Sequence, residues 1–67
     1  MYDYEKYGIA LGQHYAYADG SKGHVVVVDV KTYALCDDVV IYDPLRDSTK
    51  RIDCFKLAMV RYYLLHS

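Results

Sequence analysis

"RIDCFKLAMVRYYLL", residues 51–65, decides the fold. Read as one helix, it has Asp53 as N-cap and three turns running from Cys54 to Leu65. Phe55, Ala58, Met59 and Tyr62 then share one face. Lys56 and Arg61, however, stand five positions apart, about 140° around such a helix, and nearly every other position is apolar. A helix that is apolar almost all round needs burial on all sides, which 67 residues cannot supply. Read as two pieces, the stretch ends a fourth strand at "RI", and Asp53 caps a tight turn through "CFKL". A fifth strand, "MVRYYLL", then places Val60, Tyr62 and Leu64 inward and Arg61, Tyr63 and Leu65 outward. The β-branched and aromatic residues at 60–63 favour the second reading.

The rest of the chain agrees with a strand-rich fold. "QHYAYA", 13–18, alternates Tyr15 and Tyr17 with His14, Ala16 and Ala18, as a strand does. "DGSKG", 19–23, is a hairpin turn. "HVVVVDV", 24–30, is the strongest strand, because β-branched side chains suit a pleated surface. "KTYALCDD" connects it to a third strand, "VVIYD", 39–43, which Pro44 ends. "PLRDSTKR" reads as a polar loop. Residues 1–11 are either a helical turn or an extended arm. Val26, Val28, Val40 or Ile41, Phe55, Leu57 and Val60 are expected to form the core, with Tyr15 or Tyr17, Tyr42 and Tyr62.

Composition narrows the function classes. A chain of this length buries only about 60% of its unfolded surface, so its stability is marginal. The net charge of −1 gives no general attraction to nucleic acid, although Lys50, Arg51, Lys56 and Arg61 fall late. Cys36 and Cys54 form no C-x-x-C pair and read as reduced thiols. The first residues do not resemble a secretory signal, and the longest apolar run, Val25 to Val28, cannot span a membrane. A cytoplasmic protein is expected.

No pattern names a reaction. His14, His24 and His66 lack the short ligand spacing of a zinc site, although His14 and His24 could meet across the first hairpin. Asp37 and Asp38 read as turn chemistry before a strand, since adjacent carboxylates on a loop do not split their pKa values as a catalytic pair must. Cys36 has no acid or oxyanion partner at a recognisable spacing, and Cys54 reads as core. "DGSKG" lacks the spacing of a phosphate loop. The chain is therefore expected not to be an enzyme and to need no cofactor or metal. The chain is tyrosine-rich, with nine tyrosines, one phenylalanine and no tryptophan. A small core cannot hold nine, and the surplus marks a binding face.

Five short strands with one tight helical turn before the last make a mainly β fold. "GQHYAYADGS", "DDVVIYD" and "RIDCFKLAMVRYYLL" resemble small SH3-like barrel proteins of phages and prophages over residues 12–65. The resemblance implies one domain, residues 1–67, with an N-terminal arm (1–11) and a five-stranded barrel (12–65). It also implies a phage-type accessory protein that binds and inhibits or regulates a host or defence protein. "YDY" at Tyr2, Asp3 and Tyr4 is similar to the opening of eukaryotic SH3 peptide-binding domains, but their groove tryptophan is missing.

The expected binding residues are Arg61, Tyr63 and Leu65, with Tyr2, Tyr4 and Tyr7 as a second group. The expected partner is a host or bacterial protein, or a second copy in a homodimer. The alternative is a nucleotide or nucleic-acid binding module, with tyrosines stacking on bases and Lys50, Arg51 and Arg61 holding phosphates.

Overall fold

A computed structural model describes residues 3–34 and 37–66. A one-turn helix, α1 (Asp3–Lys6), precedes five strands: β1 (His14–Tyr17), β2 (His24–Thr32), β3 (Asp37–Asp43), β4 (Ser48–Asp53) and β5 (Tyr62–His66). They form one antiparallel sheet in the order β4-β3-β2-β1-β5. β1 to β4 follow one another as a meander. A helical turn, Lys56–Val60, then carries the chain across to the far side of the sheet, where β5 pairs with β1.

The opening stretch is thus split. The Asp53 carboxylate accepts the Lys56 amide at 2.7 Å, the expected cap. The turn closes more widely than a tight α-turn, because the Arg61 amide donates to the Lys56 carbonyl at 2.9 Å, a π-type step of five residues. That wide turn takes in Met59 and Val60, which leaves β5 to begin at Tyr62 rather than Met59. Leu57 is completely buried beneath the turn, and Cys54 nearly so.

The expected closed barrel is not what forms. β4 and β5 are the two ends of an open sheet and are not hydrogen-bonded to each other. The polar loop proposed for 44–51 is also overturned in its second half. Ser48 to Arg51 pair with Asp43 to Val40, and only residues 44–47 turn. Polar side chains there mark an edge strand that is exposed from Ser48 to Arg51, a composition that looks like a loop when read in one dimension.

β3 sets the inner face. Asp37, Val39, Ile41 and Asp43 are buried, while Asp38, Val40 and Tyr42 are half-buried on the other face. Asp37 and Asp38 therefore belong to a strand and point to opposite sides, which corrects their reading as loop residues. The core comprises Ile9, Tyr15, Val25, Val27, Val39, Ile41, Cys54, Leu57 and Tyr62. The expected parity of β2 is reversed, with Val25 and Val27 inside and Val26 and Val28 not. Four consecutive valines carry no alternation to read. The pairing then jumps from Val27↔Ile41 to Asp29↔Val40, leaving Val28 as the extra residue of a bulge. Phe55 and Val60, also expected inside, are exposed on the turn, and Tyr42 is only half-buried.

The N-terminal segment is part of the packing. Ile9 lies in the core, and Tyr4 and Tyr7 pack against it. Gln13 holds this segment to the sheet. Its buried side chain donates to the Gly8 carbonyl at 2.8 Å and accepts from the Ala10 amide at 2.9 Å and the Tyr15 hydroxyl at 3.1 Å. Three of the four hydrogen-bonding positions of the carboxamide are thereby used, which is what allows a glutamine to sit inside.

Candidate functional site

β5 carries two of the features expected of a binding face. Tyr63, Leu64 and Leu65 are each about half exposed (54%, 48% and 49%). The strict alternation expected for this strand fails at Leu64. The pairing passes from Tyr15↔Leu64 to His14↔His66, so Leu65 is an extra residue in a bulge and Leu64 is not turned fully inward. Tyr62 is buried, as expected. β5 also has an unpaired outer edge, with backbone donors and acceptors available to another chain.

The helical turn extends this surface. Phe55, Met59 and Val60 are exposed at 53%, 65% and 52%. Phe55 makes one edge contact, with Tyr7, at 6.3 Å between ring centres. Sequence reasoning assigned Phe55 and Val60 to the core and so missed them as surface groups. A wide turn that buries only Leu57 and Cys54 must present its other apolar side chains outward.

Of the expected binding residues, Arg61, Tyr63 and Leu65 are each exposed, Arg61 at the end of the turn and Tyr63 and Leu65 on β5. Tyr4 and Tyr7 are half-buried against the core. Tyr2 lies outside the described residues, as does Cys36.

Two adjoining clefts run along the seam where β4 and β5 fail to pair. The larger, about 410 Å³, lies between Tyr17, Asp19, Lys50, Val60 and Arg61. The smaller, about 300 Å³, lies between Lys50, Lys56, Asp53, Asp38 and Arg61. Both are bordered by Lys50, Arg61 and Tyr62. Burial pushes the Tyr62 phenol above its ordinary value, and the Arg61 charge works in the opposite direction.

The charge along the chain is uneven. Before position 50, four cations face eight acids. From position 50 onward, four cations face only Asp53. The described ion pairs are Lys31–Asp29, Arg46–Asp43 and Arg51–Asp38. Lys50, Lys56 and Arg61 take part in none of them.

A polar cluster that shares Tyr17 with the larger cleft joins the two hairpin turns. The Tyr17 hydroxyl donates to Asp43, and Arg46 Nη1 donates to the same carboxylate at 2.8 Å. Arg46 also reaches the Lys22 carbonyl at 3.0 Å and lies over the Tyr17 ring. This holds the β3–β4 turn against the β1–β2 turn. Gly23 is needed there, since its φ is +95° and a Cβ would stand 3.1 Å from Leu45 Cδ2.

His14 and His24 do meet, with ring centres 4.9 Å apart. No group of three or more His, Cys, Asp or Glu side chains gathers into a metal-binding set among the described residues. No described helix is long and apolar enough to cross a membrane. Comparison of the chain with protein-family models, curated proteins and solved structures finds no match.

Proposed function

We propose that this chain is a non-enzymatic binding protein that acts by protein–protein contact through β5 and the turn before it. The observation that carries the reading is the exposure of six large apolar side chains between Phe55 and Leu65, beside an unpaired strand edge. A domain of this size gains nothing for its own stability from so many solvent-facing apolar groups, and their burial against a partner supplies the driving force for binding. An extended partner segment can add to the β5 edge through main-chain hydrogen bonds while Tyr63 and Leu65 fill its side-chain pockets.

The strand order supports an SH3-like plan, a meander of four strands closed by a helical turn and a last strand beside the first, left open along one seam. The resemblance to phage and prophage proteins adds that the partner is a host or bacterial protein whose activity the contact inhibits or regulates, in the cytoplasm. Self-pairing into a homodimer uses the same edge.

Tyr63→Ala and Arg61→Ala are expected to keep the fold and to weaken self-association or partner binding by about 1 kcal/mol or more each. Both residues are exposed, so neither change opens a cavity. Light scattering over a dilution series, followed by capture of host proteins with each variant, measures this. Unchanged mass and unchanged capture in both would move the contact face to the tyrosines of the N-terminal segment.

A further inference from the structure

We propose that the seam between β4 and β5 is a binding site for a small phosphate ester of about mononucleotide size. The phosphate sits between Lys50 and Arg61, and the organic part lies in the larger cleft against Val60 and Tyr17. The site shares Arg61 and Val60 with the proposed contact face, but its test reads small-ligand binding and not protein contact, so either reading can fail alone.

Four features point the same way. First, Lys50, Arg61 and Tyr62 border both clefts, so the two cations stand where the clefts meet. Second, the four cations bordering the clefts outnumber the three acids there, and each acid has a described partner while most of the cations have no described ion pair. Asp38 pairs with Arg51, Asp53 accepts the Lys56 amide and Asp19 accepts the Ser21 amide. Lys50, Lys56 and Arg61 have no ion-pair partner among the described residues. Mutual repulsion of neighbouring unpaired cations is relieved by one bound anion, and a phosphate offers several acceptor oxygens to such donors. Third, both flanking strands are sheet edges, whose free amide groups supply further donors to an anion. Fourth, the larger cleft, about 410 Å³, falls within the size range of small-ligand sites and has an apolar wall at Val60.

The charge distribution selects a small ester over a polynucleotide. The formal net charge of −1 gives no general attraction to a long phosphate backbone, which favours a small ester held by the few seam cations.

The test is an amide chemical-shift titration of the full chain with adenosine monophosphate, inorganic phosphate, adenosine and a ten-residue oligothymidine. Adenosine monophosphate is expected to shift the amides of Lys50, Arg61 and Tyr62 saturably, and more tightly than phosphate or adenosine alone. Lys50→Gln and Lys56→Gln are each expected to weaken it by about two- to fivefold, and Lys31→Gln, away from the seam, to leave it unchanged. Both seam lysines are exposed, so their variants fold. Four results would overturn the proposal. Two are the absence of saturable shifts at the seam and unchanged affinity in both seam variants. The third is equal binding of inorganic phosphate, which leaves no role for the cleft. The fourth is tighter binding of the oligothymidine with shifts spreading beyond the seam, which makes the surface a nucleic-acid interface.

Discussion

Replacing Leu57 by alanine is expected to leave the protein largely unfolded. Leu57 is fully buried and is the main apolar side chain that fastens the helical turn to the sheet. Removing a buried leucine side chain costs about 2–5 kcal/mol, the transfer of its carbons plus the cavity left behind. A domain this small holds only about 3–5 kcal/mol in total. Loss of the turn also releases β5, because the turn sets where β5 begins. Phe55→Ala, two positions away, is expected to cost less than about 1 kcal/mol, since Phe55 is half exposed and its described ring contact is an edge contact with Tyr7. Urea denaturation followed by circular dichroism separates the two. A cooperative Leu57→Ala transition at the wild-type midpoint would show that the turn is not packed as described. Collapse of Phe55→Ala would restore that side chain to the core.

The contrast between these neighbours shows where the sequence was readable. That 51–65 breaks into a turn and a strand followed from local chemistry. Asp53 supplies the cap, the β-branched and aromatic run 60–63 resists a helix, and the amphipathic stripe is too wide to bury. Which side chain the turn buries did not follow, because a π-type step shifts the inward positions relative to an ordinary turn, and that step is set by packing on the sheet. In β2 four consecutive valines show no alternation, and the bulges at Val28 and Leu65 break the period further along β2 and β5. One inserted residue reverses the face of those beyond it, and neither valine nor leucine announces an insertion. The end of β4 at Arg51 and Ile52 was legible, but Ser48 to Lys50 read as loop because an exposed edge strand has no apolar alternation. The seam required tertiary structure altogether. Lys50 and Arg61 are eleven positions apart and meet only because β5 crosses to the far end of the sheet.

Asp43 was read only as the last residue of a strand, yet it carries the second large effect expected here. Its side chain is only 4% exposed and holds Tyr17 and Arg46, which lock the two hairpin turns together. The hydrogen bond from Tyr17, and then those from Arg46, depress its carboxyl from an ordinary 3.8 to about 2, against the opposing pull of burial. A carboxylate whose folded pKa lies below its unfolded value stabilises the fold fully above the unfolded value. That contribution fades as the pH falls from about 4 to about 2. From the other end of the same bond, burial and Asp43 push the Tyr17 phenol up to about 12, so stability is present below pH 10 and fades as the pH rises towards 12. The two shifts describe one hydrogen bond and are not added. Asp43→Asn keeps the shape and an acceptor for Tyr17 but removes the charge that Arg46 faces. It is expected to lower the thermal midpoint at pH 7 and to flatten its fall between pH 4 and pH 2, relative to wild type. Tyr17→Phe is expected to lower the midpoint at pH 7 and also to flatten part of the fall between pH 4 and pH 2, because Asp43 then titrates closer to its ordinary value in the fold. The other acids titrate alike in all three proteins, so the differences between the curves isolate Asp43. Parallel midpoint curves from pH 2 to pH 7 would mean that this carboxylate is no more tightly held in the fold than in the unfolded chain.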